Sequence, residues 1–198
     1  MNVLIGQINP TPGDFTGNCA QIQDGILLAS QQNVDMAVFP ELCIPGYLVQ
    51  DKMREPDFVE NNLRSLQDLI AFSRAVGPHK PHIVVGYVDR NREGAGKPFR
   101  NMAAVIHDGV LVGTYAKWLL PYYDVFDEGR YFAPGSQLLI FESGGQKWGV
   151  LICEDWWNDK GQDDYYSWDR CSVRYGICDR GCILPVSNDT RQRISNRI

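Results

Sequence analysis

Short apolar runs alternate with longer amphipathic ones along the chain, and the two periods predict an α/β order of elements. Residues 3–8 read as a strand, which stops where Pro10 and Pro12 withhold the N–H donors a ladder needs. Residues 18–33 follow as a helix: Ile22, Ile26 and Ala29 recur at helical spacing, and Leu27 and Leu28 widen the stripe. Residues 36–39 form an apolar strand cut off by Pro40-Glu41-Leu42-Cys43-Ile44-Pro45-Gly46-Tyr47, which leaves a carboxylate just past a buried strand. Residues 58–76 make a second helix, with Leu63, Leu66, Leu69 and Ile70 on one face and Gly77-Pro78 as its stop.

From there the pattern turns strand-rich. Residues 82–88 are a buried strand, and residues 89–100, with Gly94, Gly96 and Pro98, are a loop. Residues 102–107 turn at Asp108-Gly109 into a strand at 110–115, and that hairpin ends in Lys117. Residues 118–135 are aromatic and acidic without a clear period, which predicts a structured loop over a site. A second hairpin joins 138–142 to 147–152 around Gly144-Gly145. Its last strand is apolar or glycine from Gly149 to Ile152, the mark of a strand covered on both faces, and it delivers Cys153 to Glu154 and Asp155. In α/β sheets such carboxyl ends are where ligand and catalytic groups gather.

Composition narrows the class. With 198 residues, 44% hydrophobic and 22% charged, the chain suits one globular domain and not a second full one. The net charge of −5 and pI near 5.2 offer no basic field to nucleic acid or an anionic membrane. No apolar run approaches about twenty residues, and the N-terminus lacks a basic region or cleavage site, so a cytoplasmic setting is expected. The six cysteines, 19, 43, 153, 171, 178 and 182, include no C-x-x-C pair, and reduced thiols are expected.

Three reactive side chains, Glu41, Lys117 and Cys153, fall just beyond three separate predicted strands. A thiol needs a base and a positive neighbour to attack at neutral pH. Glu41 can supply the base. Lys117 can favour the thiolate and then, with the backbone N–H of Glu154, stabilise the oxyanion of a tetrahedral intermediate. A cysteine–histidine pair ranks lower, since His79, His82 and His107 sit at a helix stop or in strand patterns. Taken singly, each residue also has a plain structural reading. Cys153 packs as an inert buried cysteine, Glu41 caps a segment, Lys117 is a solvated strand end, and Glu128 pairs on the surface with Arg130 or Lys117.

Jointly, Pro40-Glu41-Leu42, Lys117 followed by Leu120-Pro121, and Cys153-Glu154-Asp155 resemble the Glu-Lys-Cys signature of the nitrilase (carbon-nitrogen hydrolase) superfamily. Within it, the 40–47 segment, the block from Leu120-Pro121-Tyr122-Tyr123 through Glu128-Gly129-Arg130-Tyr131-Phe132, and Leu151-Ile152-Cys153-Glu154-Asp155-Trp156-Trp157 look like the glutamine-amidase domain of glutamine-dependent NAD synthetases. The resemblance implies a four-layered α-β-β-α sandwich and hydrolysis of an amide, that of glutamine, through a cysteine thioester. By position Glu41 is the base, Lys117 the oxyanion stabiliser and Cys153 the nucleophile, while Tyr47, Tyr123, Glu128 and Glu154 serve the substrate pocket. No cofactor and no metal are implied. The partners implied are glutamine, a synthetase partner or domain that uses the ammonia, and further copies of the chain in a homo-oligomer. A stand-alone amidase for another small amide shares the same three positions, and an inactive association module is the non-enzymatic alternative.

The core is expected to span residues 1–160, with a divergent tail over 161–198. The Ser143-Gly144-Gly145-Gln146-Lys147 run echoes a synthetase phosphate loop but lacks its aspartate and serine, and reads as a hairpin turn. Cys171, Cys178 and Cys182 are separated by six and then three residues, which fits no standard zinc motif. Residues 183–188 offer a late strand, with Pro185 arguing against a central position. The loss of family-like motifs after Asp159 motivates a further expectation, that a reading-frame slip or truncation near 160–166 replaced the native ending and left the sandwich incomplete.

Overall fold

The computed structural model describes residues 1–155 and the backbone of residues 156 and 182–185. The order of elements is β1 (Val3–Ile5), α1 (Phe15–Gln31), β2 (Met36–Val38), α2 (Phe58–Ala75), β3 (His82–Arg90), β4 (Phe99–His107), β5 (Val110–Ala116), β6 (Ile140–Ser143), β7 (Gln146–Leu151) and β8 (Cys182–Pro185). Short 3-10 turns lie at Gln50–Arg54, Glu128–Arg130 and Cys153–Trp156.

Several boundaries differ from the sequence reading, four of them for plain local reasons. The first strand ends early because Gln7 and Ile8 donate their N–H groups to Ile5 and Gly6 instead of to a ladder. Helix α1 starts before Asn18 because the Asp14 carboxylate accepts from the Gly17 N–H at 2.9 Å, a cap that contributes about 1 kcal/mol. Strands β3 and β4 both grow into the expected 89–100 loop, pairing Asp89 with Arg100 and Arg90 with Phe99.

Strands β1, β2 and β3 pair in parallel, with α1 and α2 as the crossovers, and β4 and β5 continue the same sheet antiparallel. Side chains alternate across it. Ala37, Ile83, Val85, Ala104 and Ile106 face Ile22, Ile26 and Ala29 of α1 and Leu66 and Leu69 of α2. Met36, Val38, Val84, Ala103, Val105 and Tyr115 face the other way, onto Phe141, Trp148 and Val150 of a second sheet ordered β6-β7-β8. Helices, sheet and second sheet thus form successive layers, each seam held by side chains whose burial is worth about 1.5–3 kcal/mol apiece. The outer helical layer expected of the sandwich lies outside the described residues.

At β8 the backbone pairs antiparallel with β7, Leu151 opposite Cys182 and Trp148 opposite Pro185. The late strand therefore spans 182–185 and not 183–188, and Pro185 stands at its end, where a missing N–H costs least. Apart from that backbone, the 161–198 tail, the proposed slip near 160–166 and the cysteine side chains at 171, 178 and 182 lie outside the described residues. Among the described residues no helix is long and apolar enough to cross a membrane.

Candidate active site

Glu41 is set in place by the turn that leaves β2. Gly86 on β3 lets that turn lie directly on its backbone: a Cβ there would stand 2.3 Å from Leu42 N and 2.8 Å from the Pro40 carbonyl oxygen. The Ile44 N–H donates to Gly86 O at 3.1 Å and the Gly86 N–H to Cys43 Sγ at 3.3 Å, so both groups of the glycine hold the segment. Lys117 leaves the end of β5 with its own N–H bonded to Asn101 O and its carbonyl to Gly135 N, both at 2.8 Å. Cys153 follows β7 with a positive φ of 47°, a conformation that costs a non-glycine residue about 1–3 kcal/mol and persists only where the surroundings over-determine it.

The side chains converge on the Lys117 ammonium, which is fully buried. Its Nζ donates to Glu41 Oε1 at 2.7 Å and to Glu128 Oε1 at 2.8 Å. Asn101 Nδ2 donates to the same Glu41 oxygen at 2.6 Å, which leaves Glu41 Oε2 without a hydrogen bond among the described residues. Burial works against the charged lysine, but the charges of Glu41 and Glu128 outweigh it and hold its pKa above the ordinary value. Glu128 is pushed the same way, by burial first and by the Glu41 charge next, against the pull of Lys117. Its Oε2 is buried without a partner among the described residues.

Four of the sequence-selected residues, Glu41, Lys117, Glu128 and Cys153, thus share one electrostatic environment, but the thiol responds differently from expectation. Burial, then the Glu41 charge, push Cys153 up to about 12, and Lys117 offsets this only in part. A cation flanked by two carboxylates does not leave a net positive field. Burial and the two carboxylates thus outweigh, at the thiol, the support for a thiolate that Lys117 supplies. The surface pairing of Glu128 with Arg130 is also absent: Glu128 is buried on Lys117, and Arg130 approaches Asp51 at 3.7 Å instead.

Around this centre Tyr47 brings its hydroxyl to 3.5 Å from Glu128 Oε1, and Tyr123 donates to Glu154 Oε2 at 2.7 Å. That bond, then partial burial, push Tyr123 up to about 12. Phe126 lies edge-on to both tyrosine rings, 6.4 Å from Tyr47 and 5.6 Å from Tyr123. A cleft enclosing about 420 Å³, open mouth included, is lined by Leu42, Tyr47, Met53, Phe126, Glu128 and Tyr131 among others. The histidines stay away from this end. His82 opens β3, stacks on His107 at 4.1 Å and meets Ser143 Oγ at 3.0 Å, and burial lowers it to about 4. His79 bonds the Val34 carbonyl. Among the described residues no cluster of three or more His, Cys, Asp or Glu could hold a metal ion.

Sequence reasoning passed over three residues at this site. Asn101 lay in the gap between a predicted loop and a predicted strand, and its contact to Glu41 spans 60 positions. Phe126 lay in the 118–135 loop, where no period singles out one side chain. Asp155 was visible beside Cys153, but the four hydrogen bonds its carboxylate accepts among the described residues, from Tyr115, Trp118, Leu119 and Ile152, follow only from the fold.

Comparison with known proteins gives the family. The glutamine-dependent NAD(+) synthetase of Thermotoga maritima is 40% identical over 158 residues, covering 80% of this chain and 26% of its own length. That of Acinetobacter baylyi is 38% identical over 156 residues, covering 79% and 27%. The chain thus spans about a quarter of the length of these relatives. Among solved structures, the glutamine-dependent NAD+ synthetase of Acinetobacter baumannii, in complex with ADP, superposes with a TM-score of 0.68 at 36% identity, covering 78% of this chain and 28% of that one. A variant of the Nesterenkonia AN1 amidase, from the nitrilase superfamily, shares the fold with a TM-score of 0.66 at 23% identity, covering 78% and 56%. The carbon-nitrogen hydrolase family matches residues 3–162, the stretch that carries both sheets' described ladders except β8 and all the residues gathered here, and the chain is a member of that family.

Proposed function

We propose that the chain hydrolyses the side-chain amide of glutamine, with Cys153 as nucleophile, Glu41 as base and Lys117 as oxyanion stabiliser. The observation that carries this reading is the division of labour on Glu41: Lys117 and Asn101 occupy Oε1, and Oε2 is left to exchange a proton. Burial and the Glu41 charge favour the protonated thiol. Its proton passes to Glu41 as Sγ bonds to the amide carbon. The oxygen of that carbon takes up the negative charge beside the Lys117 ammonium and the backbone N–H of Glu154. Glu41 returns the proton to the departing nitrogen, and ammonia leaves behind a γ-glutamyl thioester. Water, deprotonated by the same carboxylate, then attacks the thioester and releases glutamate and the thiol.

In this proposal Tyr47, Tyr123, Glu128 and Glu154 bound the pocket that accepts the amino acid. The resemblance to NAD synthetases supports a route in which the ammonia is used by a synthetase domain or partner. Intact-protein mass spectrometry after exposure to 6-diazo-5-oxo-norleucine tests the reading. One adduct on the wild type, absent from Cys153→Ala, is the expected result. Folded protein that gains no adduct rejects glutamine as substrate and turns attention to other small amides.

A further inference from the structure

Asp155 is 5% exposed, and among the described residues every hydrogen bond its carboxylate accepts comes from a stretch flanking Lys117 or Cys153. Its Oδ1 takes the N–H groups of Trp118, at 3.1 Å, and Leu119, at 2.7 Å, the two residues that follow Lys117. Its Oδ2 takes the Tyr115 hydroxyl at 2.7 Å, two residues before Lys117, and the Ile152 N–H at 3.0 Å, immediately before Cys153. The lysine stands at the end of β5 in one sheet, and the cysteine at the end of β7 in the other. Between those sheets lie apolar contacts, Tyr115 and Val105 against Phe141, Trp148 and Val150. Apolar packing sets the separation of two sheets, but it is non-directional and does not fix the register of one strand end against another.

We propose that Asp155 is a positioning residue whose carboxylate ties the Lys117 strand end to the Cys153 strand end and so fixes the ammonium against the thiol. The proposal deepens the reading of Lys117 and Cys153 as reacting groups and rests on it. The chemistry of the side chain agrees. Asp155 meets three N–H groups and a hydroxyl, all able to donate, and an ionised carboxylate is the side chain that offers acceptors on both of its oxygens. An asparagine would turn its NH2 toward the Ile152 N–H or toward the Trp118 and Leu119 pair, leaving donors face to face. The bond to Ile152 also braces the residue just before the positive φ of Cys153, where the backbone needs external support.

The test is Asp155→Asn in the full chain, read by the rate of Cys153 alkylation with iodoacetamide across pH. This readout needs no amide substrate and is therefore independent of the glutamine assignment. The thiol is faced by Glu41, Lys117, Glu128 and Glu154. If Asp155 positions Lys117, the variant loses the lysine's support, and alkylation at each pH below the thiol's midpoint slows roughly 10- to 100-fold. A role through charge alone gives the opposite sign, because removing a negative charge favours the thiolate. A rate that stays or rises overturns the proposal.

Should Asp155→Asn fail to fold, Tyr115→Phe removes a single donor and is expected to slow alkylation in the same way by less; an unchanged rate overturns the proposal. Leu69→Ala, in the helix seam, is the control for a general loss of stability. It is expected to lower the melting temperature and leave the alkylation profile in place, and an equal slowing there reduces Asp155 to a merely structural residue. Wild type alkylated selectively at Cys153 but inert toward glutamine rejects the substrate and leaves the clamp standing. Wild type without selective alkylation removes the reacting pair, and the clamp falls with it.

Discussion

Lys117 Nζ lies 2.7 Å from Glu41 Oε1, and the two side chains are 0% and 4% exposed. The residues are 76 positions apart in the chain. With Glu128 at 2.8 Å on the same nitrogen, one cation serves two carboxylates, and the neighbouring thiol feels more negative charge than positive. Replacing Lys117 by Met leaves two buried carboxylates facing one another. We expect urea unfolding to report a loss of about 3–5 kcal/mol, the range for breaking a buried pair by removing one partner, together with no γ-glutamyl adduct. A variant of unchanged stability would mean that the two carboxylates are not ionised together in the native protein.

The backbone at Cys153 makes a separate prediction. Its φ of 47° suits glycine and disfavours any residue with a Cβ. Cys153→Ala and Cys153→Gly should both be inactive, and the glycine variant should be the more stable by about 1 kcal/mol. Chemical denaturation of the pair measures this directly, and an alanine variant at least as stable as the glycine one would show that the turn carries no strain.

Asp155 gives stability a pH dependence of known sign. Burial raises its pKa from 3.8 to about 6 despite the donors around it. A carboxyl raised in the folded state contributes stability that is fully present below the unfolded pKa and is lost as pH rises through the folded one. Relative to Asp155→Asn, wild type should therefore lose on the order of 3 kcal/mol between about pH 4 and pH 6, with the difference flat above. Parallel pH–stability curves for the two proteins would exclude a raised Asp155.

Gly86 tests how Glu41 is held. A Cβ at 2.3 Å from Leu42 N meets backbone, which cannot swing aside as a side chain can. Gly86→Ala should push the 40–42 turn off β3, lowering stability by about 1–3 kcal/mol and adduct formation by more than that loss of folded protein explains. Thermal melts alongside adduct kinetics separate the two effects, and a variant with wild-type kinetics would place the control of Glu41 elsewhere.

The elements of the fold were largely legible because hydrophobic period is a local property. The Ile22, Ile26 and Ala29 stripe marked α1, and the Leu66 and Leu69 face marked α2. Where the reading slipped, a bond that the local period does not record had intervened: the Asp14 side chain started α1 early, and Gln7 and Ile8 turned their N–H groups onto Ile5 and Gly6. The trio Glu41, Lys117 and Cys153 was legible for a related reason: each polar group interrupts or follows an apolar strand, so the pattern itself points to it.

What the sequence by itself determined, then, is the order of strands and helices and the strand ends at which a carboxylate, an amine and a thiol emerge. Those depend on neighbours within a turn or a strand. The tertiary structure decided that Glu128 joins Glu41 on one ammonium, that Asn101 occupies one oxygen of Glu41, that Asp155 spans the two sheets, and that burial and the Glu41 charge push the Cys153 thiol up. Each of these depends on burial and on charges brought together across the fold. Desolvation and Coulomb interaction act through distance in space, and no local pattern in the chain records that distance.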